Sequence, residues 1–257
     1  MKNHTFLLFA TILFSSSIIA QLKPVKYADN NQTLNGLFIK SAKKSPNNPG
    51  ILLLPAWLGI DTASKGIAEN LSKLGYHVFI ADIYGEGNYP KNTTEASKIA
   101  GHYKTNYAEY QKRINLALQE LVKSGAKADN IVAIGYCFGG SGVLEIVRGH
   151  LNVKGVASFH GGLSKDPARP TEPTTAKVLI CHGGDDPYVS AEEIATFQQE
   201  MRDAKADWQM IYYANAVHAF TNPEAGNDNS KGAAYNPIAT KRAFAHLQLF
   251  LDDVLKK

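Results

Sequence analysis

The chain alternates between short, unbroken apolar runs and longer stretches in which apolar residues recur at helical spacing. An unbroken apolar run bounded by turn residues is typical of a strand covered on both faces, whereas recurrence every three or four residues is typical of an amphipathic helix. These patterns predict strands over residues 34–40 (an edge strand or hairpin), 50–54, 76–81, 131–134, 153–159, 177–181 and 208–213. They predict helices over residues 61–74, 107–123, 139–149, 191–204 and 234–255.

Strands that alternate with helices of about ten or more residues predict an α/β fold. We expect a mostly parallel central sheet with helices on both faces, built as a single domain over residues 21–257. Ligands of such sheets bind beyond the carboxyl ends of the strands. Residues that carry chemistry are therefore expected in the segments that directly follow strands.

The first twenty residues depart from this pattern and predict a signal peptide. Lys2 gives a positive start, an apolar stretch runs from Phe6 to Phe14, and Ala20 precedes a more polar segment. This three-part pattern is typical of a secretory signal cleaved here after Ala20. A retained anchor helix is the alternative, but Ser15–Ser17 interrupt an apolar run that falls short of the roughly 20 residues needed to span a bilayer. We expect a periplasmic or secreted protein without stable membrane insertion after cleavage.

Composition narrows the candidate functions only slightly. Of the 257 residues, 19% are charged, and the formal net charge is +4. Such a mild positive excess, spread along the chain, does not indicate nucleic-acid binding. The histidines and acidic residues show no metal-ligand spacing, so we expect neither a metal nor an organic cofactor. The oligomeric state is left open.

The sharpest local motif is the segment Gly135–Gly140, with the sequence GYCFGG. It is a G-x-C-x-G form of the nucleophile elbow, in which small residues allow a tight turn between a strand and a helix. The required strand and helix are both predicted on either side. A thiol at a helix N-terminus is stabilised as the thiolate by the helix dipole. Cys137 is therefore the candidate nucleophile, and the alternative for such a cysteine is a small buried apolar side chain.

An aspartate and a histidine complete a candidate triad. His218 lies in the loop after the last predicted strand, where it could take the thiol proton and deliver it to a leaving group. Asp186 follows the strand at 177–181 and is the candidate acid, with Asp185 in reserve. The chain order of nucleophile, acid and histidine is that of triads on this type of sheet. An Asp-Pro pair is also a common turn, which a triad acid can occupy as well.

Together these motifs resemble those of the dienelactone hydrolase family of α/β-hydrolases. The resemblance rests on segments 81–85, 135–140, 183–189 and 217–220, and it covers nearly all of residues 21–257. It implies a triad of Cys137, His218 and Asp186 and an oxyanion hole formed by the backbone N–H groups of Trp57 and Phe138. Donors at these two positions converge on developing negative charge. The implied reaction is hydrolysis of a carboxylic ester or lactone through a thioester acyl-enzyme.

Two departures from the family pattern bear on the chemistry. Ala56 stands where the family's type enzyme has a glutamate that holds the resting cysteine neutral. Without that carboxylate we expect Cys137 and His218 to form a thiolate–imidazolium pair in the free enzyme. The arginines that bind the dienelactone carboxylate are missing, with Glu86 and Asn222 near their places. Muconate-pathway lactones are therefore not the expected substrates.

Aromatic and imidazole side chains are expected around the site instead. They are Trp57, Tyr84, His160 and Tyr188, of which the last three are candidate substrate contacts. Such a lining favours a neutral or aromatic-tolerant acyl substrate. The alternative for each is ordinary packing, because half-exposed Tyr and Trp side chains are common.

Two other classes of protein are left open. Cys137 and Cys181 could form a structural disulfide in an oxidising compartment, or they could serve a thiol redox protein. Cys137 lies in a turn and Cys181 ends a separate apolar run, so nothing in the sequence brings their sulfur atoms together. The second class is a non-catalytic binding protein on a hydrolase fold, because a fold does not determine a function.

Overall fold

The computed structural model describes residues 21–257, so the predicted signal peptide lies outside the described residues. Eight strands form one sheet: β1 (Lys23–Asp29), β2 (Gln32–Ile39), β3 (Gly50–Leu54), β4 (His77–Ile80), β5 (Ile131–Tyr136), β6 (Gly155–Phe159), β7 (Lys177–Gly183) and β8 (Trp208–Tyr213). The α-helices of the described chain are α1 (Thr62–Leu74), α2 (Thr93–Thr105), α3 (Tyr107–Lys123), α4 (Phe138–Arg148), α5 (Ala191–Asp203) and α6 (Pro237–Val254). Within residues 21–257, no helix combines the length and the apolarity that crossing a membrane requires.

The sheet is mostly parallel, which confirms the fold predicted from the alternation of strands and helices. Its strand order is β1-β2-β4-β3-β5-β6-β7-β8. β1 and β2 form an antiparallel hairpin and β2 is antiparallel to β4, whereas the remaining neighbours are parallel. The order reverses between β3 and β5, so the crevice at which such sheets bind ligands lies beyond the carboxyl ends of these two strands.

Helices cover both faces of the sheet and bury two apolar layers. On one face, buried residues of α2 to α5 such as Tyr110, Val143 and Phe197 pack against the strands. On the other face, α1 and α6 contribute residues such as Leu71 and Leu247. Because both faces are covered, the central strands are apolar throughout, and all five residues of β3 are buried.

Within residues 21–257, one α-helix was not predicted by the apolar pattern. α2 begins after Asn92, whose side chain accepts the backbone N–H of Glu95, and its buried positions include two alanines, Ala96 and Ala100, and Tyr103. A helix whose buried face is built largely on alanine gives a weak apolar pattern, so the sequence left this segment unassigned. The closing helix also starts later than predicted, at Pro237, where Asn236 caps it and a proline suits the first turn.

The turn between β5 and α4 depends on a close approach of backbone segments. A Cβ atom on Gly139 would lie 2.1 Å from the carbonyl oxygen of Leu54, in the neighbouring strand β3. A Cβ atom on Gly135 would lie 1.9 Å from the carbonyl oxygen of Gly139. Both distances are far below van der Waals contact, and both obstacles are main-chain atoms. Glycine at these positions therefore allows α4 to start directly against the sheet.

Gly139→Ala is expected to destabilise the protein by at least about 3 kcal/mol, the upper end of the usual cost of overpacking, because main-chain atoms cannot rotate out of the way. The matched control is Gly66→Ala, inside α1, where an added Cβ meets nothing within 4 Å. It should be neutral or stabilise by up to about 1 kcal/mol, because alanine favours the helix. Urea unfolding of both variants measures the difference. Equal unfolding free energies would contradict the close approach.

Candidate active site

The turn after β5 places the Cys137 side chain at the carboxyl edge of the sheet. Cys137 has φ 53°, a left-handed conformation that is unusual for a residue with a side chain, and α4 begins at the next residue. Such a conformation costs on the order of 1–3 kcal/mol and persists only when the surrounding structure imposes it. Here the Cys137 N–H donates to the carbonyl oxygen of Phe159 at 3.0 Å, which ties the turn to β6.

His218 and Asp186 meet Cys137 at this edge. His218 Nε2 lies 3.1 Å from Cys137 Sγ, and His218 Nδ1 lies 3.0 Å from Asp186 Oδ2. Asp186 is buried, whereas its reserve, Asp185, is exposed. The second carboxylate oxygen of Asp186 accepts the N–H of Tyr188 at 2.9 Å, so the turn that follows β7 holds the carboxylate in place.

Backbone hydrogen bonds hold the loop that carries His218. The His218 N–H donates to the carbonyl oxygen of Gly232 at 3.1 Å, and the Ala234 N–H donates to the carbonyl oxygen of His218 at 3.0 Å. The next residue, Ala219, has φ 55°, so the loop turns sharply directly after the histidine. The position of His218 is therefore determined by residues 232–234, which lie just before α6.

The surroundings of Cys137 and His218 favour the ionised form of each side chain. Burial opposes ionisation of the Cys137 thiol, but the hydrogen bond and charge of His218 outweigh burial and hold the pKa of Cys137 below its usual value. Burial likewise opposes protonation of His218, but hydrogen bonds with Asp186 and Cys137 raise the pKa of His218 to about 9. A lowered cysteine pKa beside a raised histidine pKa favours thiolate and imidazolium at neutral pH.

Lys104, on the unpredicted helix α2, adds a positive charge near the Cys137 thiol. After the effects of burial and of His218, the charge of Lys104 also lowers the pKa of Cys137. Its Nζ lies 4.0 Å from the position that a Cβ on Gly162 would take, in the segment that follows β6. Sequence reasoning missed this residue because α2 was not predicted. The available signal was Asn92 as a helix cap ahead of Ala96, Ala100 and Tyr103.

The two backbone donors expected to form the oxyanion hole lie on neighbouring segments. Phe138 is the first residue of α4, and its N–H faces the Cys137 sulfur closely enough to lower the pKa of that thiol, a smaller effect than those of burial and His218. Trp57 lies in the loop after β3, and its carbonyl oxygen accepts the Tyr84 hydroxyl at 2.8 Å. Ala56 precedes Trp57, so no carboxylate at that position approaches the thiol.

The three expected substrate contacts occupy different environments. Tyr84 is only 3% exposed and stacks on Phe138, with 5.7 Å between ring centroids. His160 is also 3% exposed, and its ring centroid lies 5.3 Å from that of His218. Tyr188 is 60% exposed, with its ring centroid 5.3 Å from that of His218. Tyr84 and His160 are thus buried next to Phe138 and His218, respectively, whereas Tyr188 lies at the protein surface. Substrate contact by these residues stays a prediction.

Cys137 and Cys181 are both free cysteines. Cys181 is fully buried in β7, and burial raises the pKa of its thiol to about 12. Strand β6 separates β5, which leads to Cys137, from β7. Two strand spacings are about 9.6 Å, beyond the roughly 7 Å between Cα atoms that a disulfide tolerates. The fold therefore keeps the two sulfur atoms apart.

No group of three or more His, Cys, Asp or Glu side chains within residues 21–257 is arranged to hold a metal ion. The carboxylate and imidazole groups at the carboxyl edge of the sheet instead contact other side chains of the protein. Asp186 Oδ2 and Cys137 Sγ each lie within hydrogen-bond distance of one ring nitrogen of His218. His160 Nε2 lies 2.8 Å from Thr221 Oγ1.

Known proteins share both the sequence pattern and the fold. The probable 2-oxo-3-(5-oxofuran-2-ylidene)propanoate lactonase of a Bradyrhizobium species is 26% identical over 213 residues, which cover 79% of this chain and 83% of that protein. The carboxymethylenebutenolidase of Rhodococcus opacus is 22% identical over 194 residues, 71% of this chain and 74% of that protein. A crystal structure of a dienelactone hydrolase-like promiscuous phosphotriesterase from metagenomic libraries has a TM-score of 0.87 at 30% identity, covering 93% of this chain and 100% of that one.

The family assignment follows from a match that extends from within β2 to the end of α6. Residues 35–255 match the dienelactone hydrolase family. The matched region includes the elbow at Cys137, the turn at Asp186 and the loop at His218. The eight-stranded sheet is the α/β-hydrolase arrangement seen in the similar solved structure. The chain therefore belongs to the dienelactone hydrolase family and is a carboxylic ester hydrolase.

Proposed function

We propose that the protein hydrolyses carboxylic esters or lactones with Cys137 as nucleophile, His218 as acid and base, and Asp186 as the group that orients His218. One observation carries the proposal: the two nitrogens of His218 lie 3.1 Å from Cys137 Sγ and 3.0 Å from Asp186 Oδ2. A buried carboxylate, an imidazole and a nucleophile linked in this order activate the nucleophile in acyl transfer. Membership of the dienelactone hydrolase family supports the reaction class.

Acylation begins from the ion pair. The Cys137 thiolate attacks the carbonyl carbon, the C–S bond forms, and the carbonyl electron pair moves to the oxygen. The N–H groups of Trp57 and Phe138 stabilise this oxyanion. As the oxyanion collapses, the bond to the alcohol oxygen breaks and His218 gives that oxygen its proton. The products are an alcohol and a thioester on Cys137, and with a lactone both remain one molecule.

Hydrolysis of the thioester restores the resting state. Neutral His218 takes a proton from water as the water oxygen attacks the thioester carbonyl. The second oxyanion collapses, the C–S bond breaks, and the carboxylic acid leaves. Cys137 is then a thiolate and His218 an imidazolium, as at the start. Because the resting pair is already ionised, no proton has to leave the thiol before the next attack.

The substrate proposed from the site is an ester or lactone with a neutral or aromatic acyl part. Glu86 is acidic and Asn222 is uncharged, so neither position offers the positive charge that would bind a carboxylate. The exposed ring of Tyr188, beside His218, offers an apolar contact. The alternative is a negatively charged substrate. It is favoured by Lys104, whose positive charge lies near enough to lower the pKa of Cys137.

Activity should depend on each member of the triad to a different degree. With p-nitrophenyl acetate, Cys137→Ala should remove measurable turnover, and Asp186→Asn should lower kcat by about 10²–10⁴-fold, because His218 loses its orienting carboxylate. Asp185→Asn is the matched control, since its carboxylate is exposed and should leave kcat unchanged. Steady-state kinetics measure these effects. Full activity in Cys137→Ala would contradict the proposal.

The same assay can identify the substrate class. A panel should pair each neutral ester or lactone with a carboxylate-bearing analogue, and it should include a phosphotriester because a similar protein is described as a promiscuous phosphotriesterase. We expect higher kcat/KM for the neutral member of each pair. A consistent preference for the carboxylate, lost in Lys104→Gln, would contradict a neutral substrate while leaving the triad in place.

The resting ion pair predicts the pH dependence of alkylation. Cys137 should react with iodoacetamide well below pH 8.5, the ordinary pKa of a free thiol, because His218 stabilises its thiolate. At higher pH, kcat/KM should fall as His218 loses its proton, near its pKa of about 9. Alkylation rates and kcat/KM measured from about pH 5 to about pH 10 follow both changes, because this range includes the pKa of a free thiol and that of His218.

Two further variants test the source of the lowered thiol pKa. His218→Asn should move the alkylation midpoint toward the value of a free thiol, because the hydrogen bond and the positive charge are lost together. Lys104→Gln should move it in the same direction by less, and Lys98→Gln, an exposed lysine on the same helix, should not move it. A pH midpoint of Cys137 alkylation at or above about 8.5 in the wild type would contradict the resting ion pair.

A thiol redox function would use the same cysteine in another way. It would require Cys137 and Cys181 to form a reversible disulfide, whereas β6 lies between β5, which leads to Cys137, and β7, which contains Cys181. Peroxide treatment followed by mass spectrometry distinguishes the two functions. A reversible Cys137–Cys181 disulfide without ester cleavage would support the redox function.

We also propose that the protein is exported and that residues 1–20 are removed. The full chain, expressed in a bacterium with a periplasm, should appear in the periplasmic fraction with an N-terminus at Gln21. Mass spectrometry of the purified protein identifies that residue. A chain lacking residues 1–20 is the control and should stay in the cytoplasm. Recovery of uncleaved chain from the cytoplasm would contradict export.

A further inference from the structure

His160 occupies a conformation that a histidine rarely adopts. It follows β6 directly and has φ 39°, in the left-handed region. Its N–H donates to the carbonyl oxygen of Cys181 at 2.9 Å, which fixes the backbone against β7. A non-glycine residue in this region costs on the order of 1–3 kcal/mol, and such residues cluster at functional sites. The His160 side chain is only 3% exposed, so the unusual backbone conformation does not serve to expose this side chain to solvent.

The His160 ring contacts three residues of the loop that carries His218. His160 Nε2 lies 2.8 Å from Thr221 Oγ1, three residues beyond His218. The His160 and His218 rings meet edge to face, with 5.3 Å between centroids and 68° between planes. A third contact, with Phe220, has the same centroid distance and an angle of 80°. The ring of His160 therefore packs against both the His218 imidazole and the turn behind it.

The surroundings of His160 keep it neutral. Burial and the positive charge of His218 hold the pKa of His160 well below its usual value. The ring also faces Tyr136 from β5 and Phe220 and Thr221 from the His218 loop, none of which is charged at neutral pH. His160 Nδ1 is buried without a hydrogen-bond partner among the described residues. We assign the proton to Nε2, because it then donates to Thr221 and leaves only an acceptor, rather than a donor, unpaired at Nδ1.

We propose that His160 is a positioning residue for His218: its neutral ring and its hydrogen bond to Thr221 hold the His218 imidazole aimed at the Cys137 sulfur. This inference rests on the proposed function, because His218 is taken to be the acid and base. It assigns His160 to the support of the triad rather than to contact with substrate. A cationic ring at this place would face the imidazolium of His218, which explains why a neutral group is required.

Three variants separate the parts of this contact. Thr221→Val removes the partner of His160 Nε2 and leaves both imidazoles in place. His160→Phe keeps a ring and removes the donor, whereas His160→Gln supplies a neutral N–H donor in nearly the same position. His77→Gln is the matched control, because His77 is a buried histidine on β4, outside the triad and its loop. Urea unfolding of each variant accompanies the kinetics.

Thr221→Val and His160→Phe should each lower kcat for p-nitrophenyl acetate by at least tenfold and change KM by less than twofold. In both, the midpoint of Cys137 alkylation should move toward that of a free thiol. His160→Gln should restore most of kcat, and His77→Gln should match wild type in kcat and in the alkylation midpoint. This combination separates positioning from simple packing, because lost packing alone would not move the alkylation midpoint or be rescued by glutamine.

Two results would overturn the inference. A raised KM with unchanged kcat in His160→Phe would mean that His160 contacts substrate. Wild-type kcat and an unchanged alkylation midpoint in Thr221→Val, a half-buried substitution close in shape, would mean that the contact is ordinary packing. Failure of the proposed function is a different result, since Cys137→Ala would then keep its esterase activity whatever the His160 variants do.

Discussion

The contact between Cys137 Sγ and His218 Nε2 is the interaction on which the proposed chemistry depends. It joins residues 81 positions apart in sequence, and neither residue is placed by its own segment alone. Cys137 reaches its position because Gly139 lets α4 start against β3. His218 reaches its position because residues 232–234 bind its backbone. The fold therefore determines a sulfur–nitrogen distance of 3.1 Å through main-chain contacts at both ends.

The electrostatics of the site follow from this contact and from one substitution. Burial alone would keep both the thiol and the imidazole neutral, because a charged group is disfavoured in a low-dielectric environment. The pair overcomes burial because each charge stabilises the other, and Asp186 stabilises the imidazolium from behind. A glutamate in place of Ala56 would compete for the thiol proton and for the positive charge. With alanine at position 56, no carboxylate there opposes the proposed resting ion pair.

Much of this arrangement could be predicted from the sequence because it is encoded locally. The run Gly50–Leu54 and the stripe along Tyr107–Lys123 match β3 and α3 as the structure has them. The elbow motif places Cys137 after a strand and before a helix, as observed. Helix α2 was not predicted, because small alanine side chains provide part of its buried face. Lys104, which lies on α2, was therefore missed as well. The burial of Tyr84 and His160 was not predicted either, because it depends on partners that are distant in sequence, Trp57 and Thr221.

The most direct test of the account is the intact mass of the enzyme quenched during turnover of p-nitrophenyl acetate. The thioester mechanism predicts a single added acetyl group, located by peptide mapping on Cys137 and removed by hydroxylamine. The label should be missing in Cys137→Ala, which should not turn over the ester. An acetyl group on another residue, or none on Cys137 while the ester is being cleaved, would contradict the central claim.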